Sequence, residues 1–161
     1  MRLGVISDSH GHIERTMAAV RMLESLEVDR VIHCGDIGSP AIAPLLNAWP
    51  TDYVDGNVDH DTEELAAAAA ANGGTFHGRF ADLAFEGVRV AVLHSDDSRR
   101  FRETIASGDW QLVCYGHTHQ ADLREVGGVK VLNPGALYRT AVPSLAIVDL
   151  PSLAIEHIKI L

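Results

Sequence analysis

No apolar stretch in the chain approaches the roughly 20 residues that a membrane-crossing helix needs. The nearest candidate, Leu65 to Ala71, is short and mostly alanine. Nor is there an apolar segment behind the N-terminus. Met1 to Ile6 runs directly into Ser7, Asp8, Ser9 and His10, unlike a secretory signal, so a cytoplasmic protein is expected. Cysteine is scarce. Cys34 and Cys114 each end an apolar run, which points to buried thiols rather than a disulfide in a reducing compartment. Positive charge is also short: 13 Lys and Arg face 22 Asp and Glu, for a net charge of −9. The one basic cluster is Arg99, Arg100 and Arg102, and a long polyanion such as a nucleic acid is disfavoured as partner. What remains is an ordinary soluble composition, 47% apolar and 22% charged, in 161 residues. A chain of that size forms one core, so a single domain over 1–161 is expected.

Short apolar runs alternate with helical stretches. Arg2 to Ser7, Val31 to Cys34 and Asp52 to Asp55 read as strands. Between and after them, Ile13 to Glu27, Pro40 to Trp49 and Asp61 to Asn72 read as helices, the last stopped by Gly73-Gly74. In the first helix Ile13, Met17, Val20, Leu23 and Leu26 follow a spacing of about 3.6 and mark the expected inner face. From Thr75 the period shortens. Phe80 to Phe85, Val88 to Leu93, Gln111 to Tyr115, Ala121 to Val126, Val129 to Leu132, Leu145 to Asp149 and Ala154 to Ile160 read as strands, with one helix at Ser98 to Ser107. The pattern predicts an α/β fold with two packed, partly parallel sheets and helices outside.

The chemistry sits at the strand ends. Asp8 and His10 follow the first strand, Asp36 the second, and Asn57 and Asp59 the third. His94 follows the Val88 to Leu93 run, and His117 and His119 follow Gln111 to Tyr115. In α/β sheets ligands gather outside the carboxyl ends of strands, so five strand ends can converge on one place. Gly35, Gly56 and Gly116 each precede one of these residues and are expected to turn the chain. In an extended segment residues i and i+2 point the same way, so Asp8-x-His10 and His117-x-His119 can each grip a metal. Mixed carboxylate and imidazole donors suit Mn²⁺, Fe or Zn²⁺ better than Ca²⁺ or Mg²⁺. Each motif alone occurs often by chance, and their joint order carries the signal.

The ordered set Asp8-x-His10, Gly35-Asp36, Gly56-Asn57-x-Asp59, His94 and Gly116-His117-x-His119, followed by Asn133-Pro134-Gly135, resembles the calcineurin-like metallophosphoesterases. It is most similar to their compact, uncapped phosphodiesterases, the family that also contains the retromer subunit Vps29. The resemblance implies a four-layer α/β/β/α sandwich of two mixed sheets. It places Asp8, His10, Asp36 and His119 on one metal, and Asp36, Asn57, His94 and His117 on the other. Asp36, Asn57 and Asp59 are the residues assigned to catalysis. Two divalent ions are implied, Mn²⁺ first, with Fe, Zn²⁺ or Ni²⁺ as alternatives. The implied reaction is hydrolysis of a small phosphate ester, a diester before a monoester, by in-line attack of a metal-bridging hydroxide. A homo-oligomer is compatible with the resemblance.

Some positions depart from the family pattern. Val58 stands where many members have the histidine that serves the leaving group, and His60 and His12 are the nearby candidates. After His94 the chain continues Ser95-Asp96-Asp97, and Arg99 or Arg100 is a candidate phosphate contact, as is Arg139. His33 and Asp59 are expected to orient ligands, and His77 and His157 to be structural or surface residues. The competing readings are a non-catalytic scaffold like Vps29 and an amidohydrolase. Retention of every ligand argues against the first. The opening Asp-x-His, where amidohydrolases have His-x-His, argues against the second.

Overall fold

The structure is a computed structural model covering residues 1–161. The chain order is β1 (Arg2–Ile6), α1 (Ile13–Ser25), β2 (Arg30–His33), a 3-10 helix (Pro40–Leu46), β3 (Thr51–Tyr53), α2 (Thr62–Ala71), β4 (Thr75–Phe76), β5 (Ala81–Phe85), β6 (Val88–Val92), α3 (Ser98–Ser107), β7 (Leu112–Cys114), β8 (Ala121–Val126), β9 (Val129–Pro134), β10 (Ser144–Asp149) and β11 (Ala154–Lys159). One sheet has the order β11-β10-β1-β2-β3-β4, the other β5-β6-β7-β9-β8. β1 to β4 run parallel, as do β6, β7 and β9, while β10, β11, β5 and β8 join antiparallel.

Side-chain alternation turns these strands into four layers, because successive residues face opposite sides of a sheet. Leu3, Val5, Ile32, Ala146 and Val148 of the first sheet meet Val90, Val92, Leu112, Cys114 and Leu132 of the second. Their neighbours Val31, Leu145 and Ile147 point outward, into a core shared with α1, the 3-10 helix and α2. Ala91, Val113 and Val131 of the second sheet point to Ile105 and Phe101 of α3. Three apolar layers separate four structural ones, as an α/β/β/α sandwich requires. Both cysteines are free and buried. No helix is long and apolar enough to cross a membrane.

Two helices differ from the sequence expectation. The inner row of α1 is Thr16, Ala19 and Leu23, whereas Ile13 and Met17 are 39% and 44% exposed. Gly4 of β1 leaves room for Leu23 in this row, since a Cβ there would collide with it. Thr16 tolerates burial because its hydroxyl donates to the His12 carbonyl. The Pro40 segment forms a 3-10 helix rather than an α-helix, and it contains Pro44, which has no N–H to continue an α ladder. β4, only two residues long, carries no period and was not foreseen.

Candidate metal centre

The carboxyl ends of β1, β2 and β3 deliver Asp8, His10, Asp36 and Asn57 from the first sheet. Those of β6 and β7 deliver His94, His117 and His119 from the second. The ligand atoms of Asp8, His10, Asp36 and His119 lie within 4.8 Å of one another, as do those of Asp36, His94 and His117. Asp36 belongs to both groups. Asp8 Oδ1 is 3.1 Å from His119 Nε2, and Asp36 Oδ2 is 3.2 Å from His94 Nε2. His10 Nε2 is 3.2 Å from His119 Nε2, and Asn57 Oδ1 is 3.1 Å from His117 Nδ1. Donors bound about 2.1 Å from one ion lie about 3 Å apart when adjacent, so these are the separations of atoms sharing a cation.

Hydrogen bonds made by the far side of each group aim the near side inward. His94 Nδ1 donates to the Cys34 carbonyl at 2.8 Å, and His119 Nδ1 to the Arg139 carbonyl at 3.1 Å, leaving each Nε2 free as a ligand. Asp8 Oδ2 accepts the Ser7 hydroxyl at 2.6 Å and the His117 N–H at 3.2 Å. Asp36 Oδ1 accepts the Val58 N–H. What remains is anomalous for a protein interior: Asp8 Oδ1 and His94 Nε2 are buried without a hydrogen-bond partner. Such atoms are expensive, and cations held by the two groups to which they belong would satisfy them. Burial raises the pKa of Asp8. Burial also opposes a charge on His94, but Asp36 and Asp8 outweigh it and raise its pKa. The carboxylates that draw a proton to this spot would equally favour a divalent cation. Against the pull of burial, His94 and the Val58 amide hold Asp36 down at about 2.

The backbone is strained at the same place. Asp8, His10, Asp36, His117 and His119 have φ of 56°, 45°, 52°, 72° and 61°. Left-handed φ is uncommon outside glycine and costs about 1 kcal/mol or more per residue. The loops are laced together by Asp8 N–H to Gly35 O and His10 N–H to Asp36 O, at 3.0 and 2.9 Å. Of the three flanking glycines, only Gly35 has a positive φ, 98°. Gly56 and Gly116 serve differently from the expected turn. A Cβ on Gly56 would overlap Asp36 Oδ1, and one on Gly116 would overlap Ser7 Oγ. They are glycine for room.

Residues 1–152 match the family described as the calcineurin-like phosphoesterase superfamily domain. This chain belongs to that superfamily. Among curated proteins it is similar to phosphodiesterase MJ0936 of Methanocaldococcus jannaschii, with 28% identity over 154 residues, 92% of this chain and 93% of the relative. Among solved structures, an archaeal phosphodiesterase superimposes with a TM-score of 0.92 at 26% identity, covering 99% of each chain. Vps29 of Entamoeba histolytica, solved with zinc, shares the fold with a TM-score of 0.69 at 16% identity, covering all of both chains. The two mixed sheets are those of the metallophosphoesterase fold, and the expectation of a phosphoesterase agrees with the family.

Other positions in this calcineurin-like phosphoesterase fall into place around the ligand groups. The Asp59 carboxylate accepts N–H groups from Ile37, Gly38 and Gly56 at 3.0, 2.8 and 2.9 Å, and lies outside both groups. His33 accepts the Gly35 N–H on Nδ1, so its Nε2–H donates to Ser9 Oγ at 2.9 Å. Burial drives its pKa down to about 3. Arg99 pairs with Glu103 on the exposed face of α3, and Arg100 stacks over Phe80. Arg139 makes no ion pair, and its charge is one of the influences that lower the pKa of His10, the largest being burial. His12 caps α1, and His60 lines a groove beside Val58. His77 bonds Asp52, and His157 bonds the Asn133 carbonyl. Asn133 holds the Gly116 carbonyl and Thr118, fixing the loop between the last two histidines. Sequence reasoning missed Arg79, which ties Asp55 to Asp96 at 3.3 and 2.6 Å and so joins the loops carrying Asn57 and His94. An isolated arginine gives no motif to find.

Proposed function

We propose that this single-domain protein, residues 1–161, is a metal-dependent phosphodiesterase acting on a small phosphodiester. The observation that carries the reading is the pair of orphaned, buried ligand atoms, Asp8 Oδ1 and His94 Nε2, set among further carboxylate and imidazole donors. Asp8, His10, Asp36 and His119 would hold one divalent cation, and Asp36, Asn57, His94 and His117 a second, with Mn²⁺ the first candidate. Bound there, the cations would activate a water for in-line attack on phosphorus and offset charge on the phosphoryl oxygens.

The chain's own residues do the rest. Asp36 couples the two groups. Asp59 acts through the three amides it gathers, fixing the Asp36 and Asn57 loops, which makes it a positioning residue. The guanidinium of Arg139, without a carboxylate partner, attracts an anionic ester to a protein that is otherwise strongly acidic. A complete ligand set favours an enzyme over a scaffold like Vps29. The names of the archaeal relatives favour diester over monoester.

The test is turnover of a chromogenic phosphodiester and its monoester by metal-stripped protein resupplied with Mn²⁺, Ni²⁺, Zn²⁺ or Mg²⁺, beside Asp36→Asn. The expected result is metal-dependent turnover, faster on the diester, reduced on the order of 10³-fold in Asp36→Asn. Tight metal binding with no turnover would favour the scaffold.

A further inference from the structure

Large apolar side chains are exposed at eight places in the chain, and four of them, Ile13, Met17, Tyr138 and Val142, sit on two segments. Those segments are the start of α1 and the loop after β9. Both are tied to the candidate ligands. His12 follows His10 by two residues, and its N–H donates to the Ser9 carbonyl. The Tyr138 N–H donates to the Asp8 carbonyl at 3.2 Å, and the next residue, Arg139, holds His119 through its own carbonyl. The rings of His12 and Tyr138 lie 4.2 Å apart with an interplanar angle of 32°. His12 Nδ1 is used in capping α1, and Tyr138 is 37% exposed. Ile13 and Met17, one helical turn apart, continue an apolar surface along α1.

The rest of the rim has a different character. Near Asn57 the groove carries Asp61 and Glu64, and near His94 the cleft carries the Arg79–Asp96 ion pair. One side of the centre therefore presents an aromatic pair beside Arg139, and the others present acidic side chains and an ion pair. A phosphodiester has two organic arms, and an apolar surface beside its phosphorus selects between them by what they carry.

Resting on the phosphodiesterase reading above, we propose that Tyr138 and His12 form a stacking platform for a planar aromatic arm of the substrate. The enzyme then discriminates aryl or nucleoside esters from alkyl esters. An aromatic ring laid on Tyr138 gains contact that a methyl group lacks, an advantage of about three- to tenfold in binding. Tyr138 and His12 are specificity residues on this account, and the metal ligands are untouched by it.

The experiment compares diesters that share a p-nitrophenyl leaving group and carry phenyl, cyclohexyl or methyl as the second arm. The expected result is a KM lowest for phenyl. In Tyr138→Ala the KM ratio of methyl to phenyl falls toward one, or the KM of all three rises because the leaving group uses the platform. Tyr138→Phe retains the wild-type pattern. A parallel titration needs no turnover: ring resonances of His12 and Tyr138 are followed by NMR in Zn²⁺-loaded protein, with diphenyl phosphate against dimethyl phosphate. Shifts with the diphenyl ester alone support the platform even if every diester proves inert, which would sink the phosphodiesterase reading by itself. Equal KM values unaffected by Tyr138→Ala, with no ring shifts, overturn the platform while leaving a working hydrolase intact.

Discussion

Aspartate does opposite work at two places in the first sheet. Within β3, Asp52 is buried but fully engaged: Arg30 Nε donates at 2.7 Å and His77 Nε2 lies at 2.8 Å. Burial pushes its pKa up, yet those two partners overcome it and hold the carboxyl below the usual range. Past the carboxyl end of β1, Asp8 is buried with one oxygen unused, a left-handed backbone and a raised pKa. One carboxylate contributes stability to the free protein. The other withholds it, and a cation held there would supply the partner that its free oxygen has not got. Strain and unsatisfied charge are kept where a ligand can relieve them.

The comparison can be broken experimentally. Asp52→Ala leaves Arg30 and His77 without their partner and should destabilise by about 3 kcal/mol, read from urea unfolding. A neutral result would remove the distinction between the two carboxylates. His33 marks the boundary: it is buried near the ligands but satisfied on both nitrogens. Its folded pKa, about 3, is below the ordinary value near 6.5, so the unfolded chain binds a proton that the folded one refuses. Stability should therefore fall as pH drops below 6.5, by about 1.2 kcal/mol between pH 6 and 5 from this group. His33→Gln should flatten that slope in metal-free protein.

Asp8→Asn sharpens the contrast further. In chelator-treated protein it should raise stability by about 1 kcal/mol, because the amide can donate where Oδ1 had no partner. With saturating Mn²⁺ the order of melting temperatures should reverse. A variant less stable under both conditions would show that the orphaned oxygen is not a burden. The smallest effect is expected at Arg99. Its ion pair with Glu103 is exposed and one turn apart, so Arg99→Ala should change stability by under about 0.5 kcal/mol and leave substrate KM unchanged.

The convergence of the candidate ligand residues was legible because chemistry at strand ends leaves a pattern: an apolar run, often a glycine, then Asp, Asn or His. The strands were legible because their residues alternate between two apolar layers. What escaped depends on distance in space. Nothing near Leu23 in the sequence announces Gly4, whose missing Cβ leaves room for it against β1. Arg79 bonds Asp55 and Asp96 across 24 and 17 residues without a local motif. Gly56 and Gly116 could be placed but not explained, since the atoms they make room for come from other loops. Asp59 is expected from the sequence both among the catalytic residues and as a group that orients ligands. Its three amide donors could be known only once the Asp36 loop lay beside it.

The ligands also come from both plates of the sandwich, with His10 and His119 in contact across 109 residues of chain. An ion seated among them would act as a rivet through one edge of two stacked sheets. Pulled apart mechanically, the sheets would open like a book whose spine is the metal site. The force needed to break that spine would rise with the ion's affinity, while the opposite edge would yield at the same load with or without metal.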